Sequence, residues 1–267
     1  MSTSSSEEAA PVKTIDRAAA ILRCLAKGPE EGSRLSDIAA GSGLGKTTTH
    51  RLLAALVSVG FVDRGDSRLY RLGYALYTLG SSARRFDIAE LARPSLLRLA
   101  AETGDTVFLS VRDGDEALCL ARCTGDFPIR TLTLNIGDRR PLGVGAGSLA
   151  LLSFLDPREA ERVIAANETA RSAYPAFNSE NLKKLVQESN QQGFAFNDGR
   201  IVSEMAAVAV PVFGPGEAVI AALSIAAIRQ RMTAERVRSL TTSLKREAAA
   251  LAALLHTREP SQRSKQE

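Results

Sequence analysis

Three cysteines, two histidines and the want of any long apolar run set the first limits on this 267-residue chain. Cys24, Cys119 and Cys123 are too few for a disulfide framework in a chain of this size. With only His50 and His256 beside them, no zinc-ligand set can be assembled. No Ser/His/Asp or Cys/His arrangement has a supporting motif, so neither enzyme activity nor a cofactor is expected. No segment approaches the apolar length of a membrane span. The first residues, MSTSSSEEAAP, lack the basic and apolar regions of a signal peptide. The expectation is a cytoplasmic protein that engages no membrane and no metal. Cys119 and Cys123 are read as sharing one face of a strand.

What is present suits two domains: enough length, and a hydrophobic content of 45%. Charge is unevenly spread. Between Ala10 and Ala75 there are ten Lys/Arg against six Asp/Glu, and the remainder balances at 24 against 24. The excess of positive charge in that stretch is what a nucleic-acid-binding part requires, because each phosphate contact releases counterions.

Within that stretch, LSDIAAGSGLGKTTTHRLLAALVSVG (Leu35 to Gly60) reads as two helices broken by a glycine-rich turn. Ser36 is placed as N-cap, Ile38 and Ala39 face inward, and Gly41 and Gly43 end the first helix. The second starts at Gly45 or Lys46, and Leu52, Leu56 and Val59, joined by Ala55, give it a core face. The opposite face carries Lys46, Thr47, His50 and Ala54, with Arg51 at its edge. Such a polar, unobstructed face is what a helix lying in a major groove needs; an ordinary solvated face is the alternative. Val12 to Lys27 is expected to be a supporting helix with Ile15, Ala18, Ala19, Leu22 and Leu25 buried and Arg17 and Arg23 outside. After Gly60, FVDRGDSRLYRLG forms a hairpin around Gly65-Asp66-Ser67 whose Arg64, Arg68 and Arg71 would meet phosphates. Tyr70 to Gly80 reads as a short helix with Leu72, Leu76 and Leu79 on one side.

A competing motif lies in the same turn. Ala40 to Thr47 departs from a P-loop only at Ala40, but no β-branched strand precedes it, as a phosphate-cradling turn demands.

The segments VKTIDRAAAILRCLAKG, LSDIAAGSGLGKTTTHRLLAALVSVGFV, YRLGYALYTLG, LARPSLLRLAAETGDTVFLSV, PIRTLTLNIGDRRPL, AVPVF and VIAALSIA, in this order, resemble the IclR family of bacterial transcriptional regulators. The resemblance implies an α+β protein: an N-terminal winged helix-turn-helix, a linker helix and a C-terminal GAF-like α/β effector-binding domain. We divide the chain accordingly into a tail (1–10), a DNA-binding domain (11–72), a linker helix region (73–86), an effector domain (87–257) and a tail (258–267). The linker region would contribute to dimerisation.

Asp87 and Glu90 read as a capping box, with Phe86 and Leu91 as its hydrophobic staple, and Pro94 as a kink or fresh start before Gly104 closes the helix. Strands follow at TVFLSVRD and EALCLARC, joined by Asp113-Gly114-Asp115, with IRTLTLNIG as a third. Helices are expected at Ala146–Phe154, Asp156–Asn167 and Ser179–Gln192. Two strands paired across Gly214-Pro215-Gly216 precede a last helix from Thr233 to about His256. The run GVGAGS at 143–148 offers helix N-terminal amides to an anion such as a carboxylate, or serves close helix–sheet packing.

By the resemblance, effector contacts fall on Gly145, Ala146, Asn197, Met205, Ala207, Ser224 and Ala226. Glu204 and Ala207 stand where the family often has glycine and cysteine. Together with Met205, that makes the pocket more apolar and suggests an effector with an apolar or aromatic body and a carboxylate. Lys46, Thr47, His50 and Arg51 would read the duplex, with Arg64 and Arg68 on phosphate. The reading is a metabolite-responsive DNA-binding regulator, a dimer or tetramer on a pseudo-palindromic operator. A winged-helix module for protein interaction joined to the same sensor domain is the second reading.

Overall fold

A computed structural model describes residues 13–65, 67–82, 87–131 and 133–257. The two tails, the hairpin residue Asp66, and the capping roles assigned to Phe86 and the Asp87 side chain lie outside the described residues. The chain divides into two compact units at the junction between Phe86 and Asp87.

The first unit contains α1 (Lys13–Lys27), α2 (Leu35–Ser42), α3 (Lys46–Ser58), β1 (Val62–Arg64), β2 (Tyr70–Leu72) and α4 (Tyr74–Ser82). Its core gathers Ile21, Leu25, Ile38, Leu53, Leu56, Val62 and Tyr70. β1 and β2 pair antiparallel, and a bridge from Ser33 to Tyr70 ties the α1–α2 connection to the hairpin. Gly43, at φ +68°, ends α2 in the left-handed conformation that other residues adopt at a cost.

Several details correct the sequence expectations. The α2 N-cap is Arg34, and the Ser36 hydroxyl bonds the Asp37 carboxylate instead. Gly41 lies inside α2, where an added Cβ would come within 2.6 Å of the Cys24 sulfur. The buried stripe of α1 includes fully buried Ile21, while Ile15 in the first turn is 68% exposed. In α3 the buried positions are Thr49, Leu53 and Leu56; Val59 and Ala55 are exposed. α3 ends at Ser58, so Val59 no longer follows the helical rotation. Tyr70 to Leu72 is a strand, not the start of a helix, because Tyr70 exchanges backbone hydrogen bonds with Ser33.

The second unit is a six-stranded antiparallel sheet between two helical layers. It runs α5 (Asp87–Thr103), β3 (Thr106–Asp113), β4 (Glu116–Thr124), β5 (Arg139–Pro141), α6 (Ala146–Ser153), α7 (Pro157–Ala166), α8 (Ser179–Gln192), β6 (Ala195–Asp198), β7 (Met205–Phe213), β8 (Val219–Ile228) and α9 (Ala234–Thr257). The strand order is β5-β4-β3-β8-β7-β6. Leu96, Leu99, Leu244 and Leu251 bring α5 and α9 onto one face through Val107, Leu109, Val208 and Ile225. α6, α7 and α8 cover the other face, and α6 is buried on nearly every side. α5 runs unbroken through Pro94, and Gly104 follows it with φ +73°. Asp156 caps α7 by accepting from the Arg158 and Glu159 amides.

Two further expectations fail here. Ile129 to Gly137 forms no strand among its described residues; the Thr133 and Leu134 carbonyls accept from the side chains of Arg140 and Arg122 rather than from a neighbouring strand. Cys119 and Cys123 lie on opposite faces. A bulge pairs Leu109 with Ala121 and Ser110 with Cys119, so the extra residue reverses the alternation of β4 between the two cysteines.

Candidate functional site

Two surfaces can carry chemistry, one in each unit. On α3, Lys46, Thr47, His50, Arg51 and Ala54 are all exposed. The opposite side is anchored by Leu53, by Leu56 and by Thr49, whose hydroxyl donates to the Gly45 carbonyl at 3.1 Å. That bond lets a polar residue occupy a fully buried position without an unsatisfied group. The helix therefore shows a cationic, hydrogen-bonding ridge with no bulky apolar side chain. Arg64 and Arg68 are exposed in the hairpin. The Arg64 guanidinium rests 5.6 Å from the centroid of the Tyr70 ring, and Arg68 adopts φ +59° in the turn. Arg71 faces Asp63 at 3.9 Å, both exposed, an ion pair worth little in water. The glycine-rich turn lies between two helices, so the strand a P-loop requires is not there and the nucleotide reading is set aside.

In the second unit a cavity of about 660 Å³, counting its open mouth, lies between the sheet and the start of α6. All seven positions singled out in the sequence converge on it. Gly145 and Ala146 come from the α6 N-terminus, Asn197 from β6, Met205 and Ala207 from β7, and Ser224 and Ala226 from β8. Gly145 holds φ +91°, which turns the chain into α6, and no side chain caps the helix. No acidic residue stands in its first turn, so the free amides of that turn offer a site for negative charge. A Cβ on Gly147 would come within 3.1 Å of the Ser110 hydroxyl and 3.4 Å of the Ser224 hydroxyl. Gly143 serves packing instead, since a Cβ there would press on Leu152 and Leu182 at 2.9 Å. The packing role considered for the glycine run thus falls on Gly143, while Gly145 and Gly147 border the cavity.

The sequence reading missed part of this wall. Phe108, Ser110 and Cys119 reach the cavity from β3 and β4, and Thr131 and Thr133 from the connection before β5. Burial pushes the Cys119 thiol up to about 11, so it stays a neutral thiol. Arg140 also lines the cavity and donates to the Thr133 carbonyl at 2.7 Å. Burial lowers the pKa of its guanidinium, which stays charged nonetheless. The signal for Arg140 was the strand alternation of Arg139 and Arg140: Arg139 pairs with Asp113 and Glu116 outside, leaving Arg140 to turn inward.

Residues 14–66 match the profile of the IclR helix-turn-helix domain, and residues 80–253 match that of the bacterial transcriptional regulator IclR C-terminal domain. The chain is 32% identical over 237 residues to the HTH-type transcriptional regulator KipR of Bacillus subtilis, covering 87% of this chain and 93% of KipR. It is 26% identical to the regulator KdgR of Escherichia coli over 236 residues, 87% of this chain and 89% of that one. Among solved structures, an IclR regulator from Alicyclobacillus acidocaldarius superposes with a TM-score of 0.74 at 28% identity, covering 91% of this chain and 99% of that one. An IclR homologue from Microbacterium hydrocarbonoxydans, complexed with 4-hydroxybenzoate, superposes with a TM-score of 0.75 at 23% identity, with the same coverage. The chain belongs to the IclR family of helix-turn-helix transcriptional regulators. No helix among the described residues is long and apolar enough to cross a membrane.

Proposed function

We propose that this regulator reads a pseudo-palindromic operator through α3 and answers to a small organic acid held in the cavity of the second unit. The observation that carries this is the polarity of α3, where Lys46, Thr47, His50 and Arg51 are all exposed while Thr49, Leu53 and Leu56 are buried. Lys46, Thr47, His50 and Arg51 contact base edges or nearby phosphates, and Arg64 and Arg68 contact phosphate from the hairpin. Two copies act together, as a dimer or a dimer of dimers, because one recognition helix reads only half a site. The protein works in the cytoplasm. The effector is a carboxylate with an apolar or aromatic body. Its charge meets the α6 amides and Ser224, and its body meets Met205, Ala207 and Ala226. The 4-hydroxybenzoate of the Microbacterium homologue is of this class. The effector acts only in so far as it prefers one arrangement of the paired reading heads.

Enrichment of bound duplexes from a random DNA pool tests the proposal. An inverted repeat with two half-sites is expected. A pool that returns no consensus would overturn it in favour of a winged-helix protein-interaction module.

A further inference from the structure

The cavity contains more polar chemistry than a carboxylate at the α6 amides would engage. Arg140 is the one charged residue among its described lining residues, and it forms no ion pair within 4 Å among them. Among the described residues its hydrogen bond is to the Thr133 carbonyl, which leaves guanidinium donors over. Nη1 of Arg140 lies 3.3 Å from where a Cβ on Gly145 would stand, so the cation and the uncapped α6 N-terminus face the same part of the cavity. Both favour negative charge, and their effects add.

Two other lining residues carry a buried side-chain oxygen without a hydrogen-bond partner among the described residues: Oγ1 of Thr131 and Oδ1 of Asn197. Thr131 is 2% exposed and Asn197 6%. Buried polar atoms left unpaired are costly, so each of them calls for a ligand group able to pair with it. A hydroxyl does so, since it donates to the amide oxygen and either donates to or accepts from the threonine.

Resting on the reading of this cavity as the effector site, we infer that its ligand is a singly charged hydroxy-carboxylate, with Arg140 selecting the charge and Thr131 and Asn197 selecting the hydroxyl. One cation and no lining acid match a monoanion; a dianion would leave one charge uncompensated in a largely apolar wall. Arg140 is therefore a specificity-determining residue.

The test is calorimetric titration of the full chain with three probes that differ by one group at a time: 4-hydroxybenzoate, benzoate and 4-hydroxybenzamide. The intact protein is expected to bind the hydroxy-acid about tenfold or more tightly than either of the others. Arg140→Gln should reduce the preference for acid over amide about tenfold, leaving the part due to the α6 amides, yet keep the preference for hydroxybenzoate over benzoate. Arg140→Lys should restore part of the former, and Thr131→Val should reduce only the latter. Circular dichroism melting verifies that each variant is folded, and Arg140→Lys carries the test should Arg140→Gln not fold. Equal affinity for acid and amide in the intact protein, or an acid preference unchanged by Arg140→Gln, would overturn the inference and leave an effector cavity of other specificity. No binding of any probe at millimolar concentration to the folded chain would overturn it together with the effector reading for this ligand class.

Discussion

Thr49 sits at a fully buried position of α3 and satisfies its hydroxyl on the Gly45 carbonyl, one turn back. With Leu53 and Leu56 it makes the same i, i+4, i+7 stripe that was assigned to Leu52, Leu56 and Val59. The exposed face was legible because Lys46, Thr47, His50 and Arg51 cluster on one side of any 3.6-residue rotation. The buried face was not, because a threonine stood in an apolar slot and its self-satisfying bond leaves no trace in composition. The difference is measurable. Leu53→Ala should cost the first unit ~2–5 kcal/mol in urea unfolding, as removal of a fully buried leucine side chain does. Val59→Ala, at a position 56% exposed, should stay within ~0.5 kcal/mol. Equal costs would mean that the helix is rotated from the orientation described. In the cavity, the positions carried over from the family resemblance converge, whereas Arg140 and Thr131 had no motif of their own. Their role depends on a connection that reads as a strand, IRTLTLNIG, yet has the carbonyls of Thr133 and Leu134 claimed by arginine side chains.

Among elements, α5 and α9 are held by a charged clamp as well as by their leucines. Glu247, 4% exposed, accepts from Arg98 at 2.7 Å and from Arg246 at 3.3 Å, and Arg246 reaches on to Glu102. Burial, the largest single influence on Glu247, pushes its pKa up, but Arg98, Ser95 and Arg246 together outweigh it and hold it below the ordinary 4.5. Glu102 is lowered by hydrogen bonds from Ser243 and Arg246. A carboxylate depressed in the folded state contributes stability that is complete above its unfolded value and is lost as pH falls through the folded one. Unfolding of the second unit should therefore become easier as pH drops below 4.5. Glu247→Gln should cost ~1 kcal/mol at neutral pH, discounted because Arg98 is half exposed, and should flatten that acid dependence. Denaturant titrations of both proteins across this range check it, and parallel curves would contradict it. The helices and hairpins of this unit were readable from caps and turn residues such as Asp156 and Gly114. The β4 bulge was not, because an apolar run looks alike in either register and only pairing with Leu109 and Ser110 shows the slip.

For the whole molecule, the division of labour follows the charge. The ten basic residues between Ala10 and Ala75 outnumber the acids there, while the rest of the chain is balanced. On the proposed reading, counterion release would make affinity for any duplex a property of the first unit, and sequence choice a property of a few side chains on α3. These two contributions separate cleanly by experiment. The measurement is fluorescence anisotropy of the enriched operator and of a scrambled duplex at two salt concentrations, for the intact chain and for Thr47→Ala, His50→Ala and Arg68→Ala. Thr47→Ala and His50→Ala should each reduce the preference for operator by ~1–3 kcal/mol with the salt slope nearly kept. Arg68→Ala should weaken both duplexes alike and lower the slope by about one. An operator preference untouched by the α3 substitutions, or one lost through Arg68→Ala alone, would contradict the assignment of α3 as the reading helix.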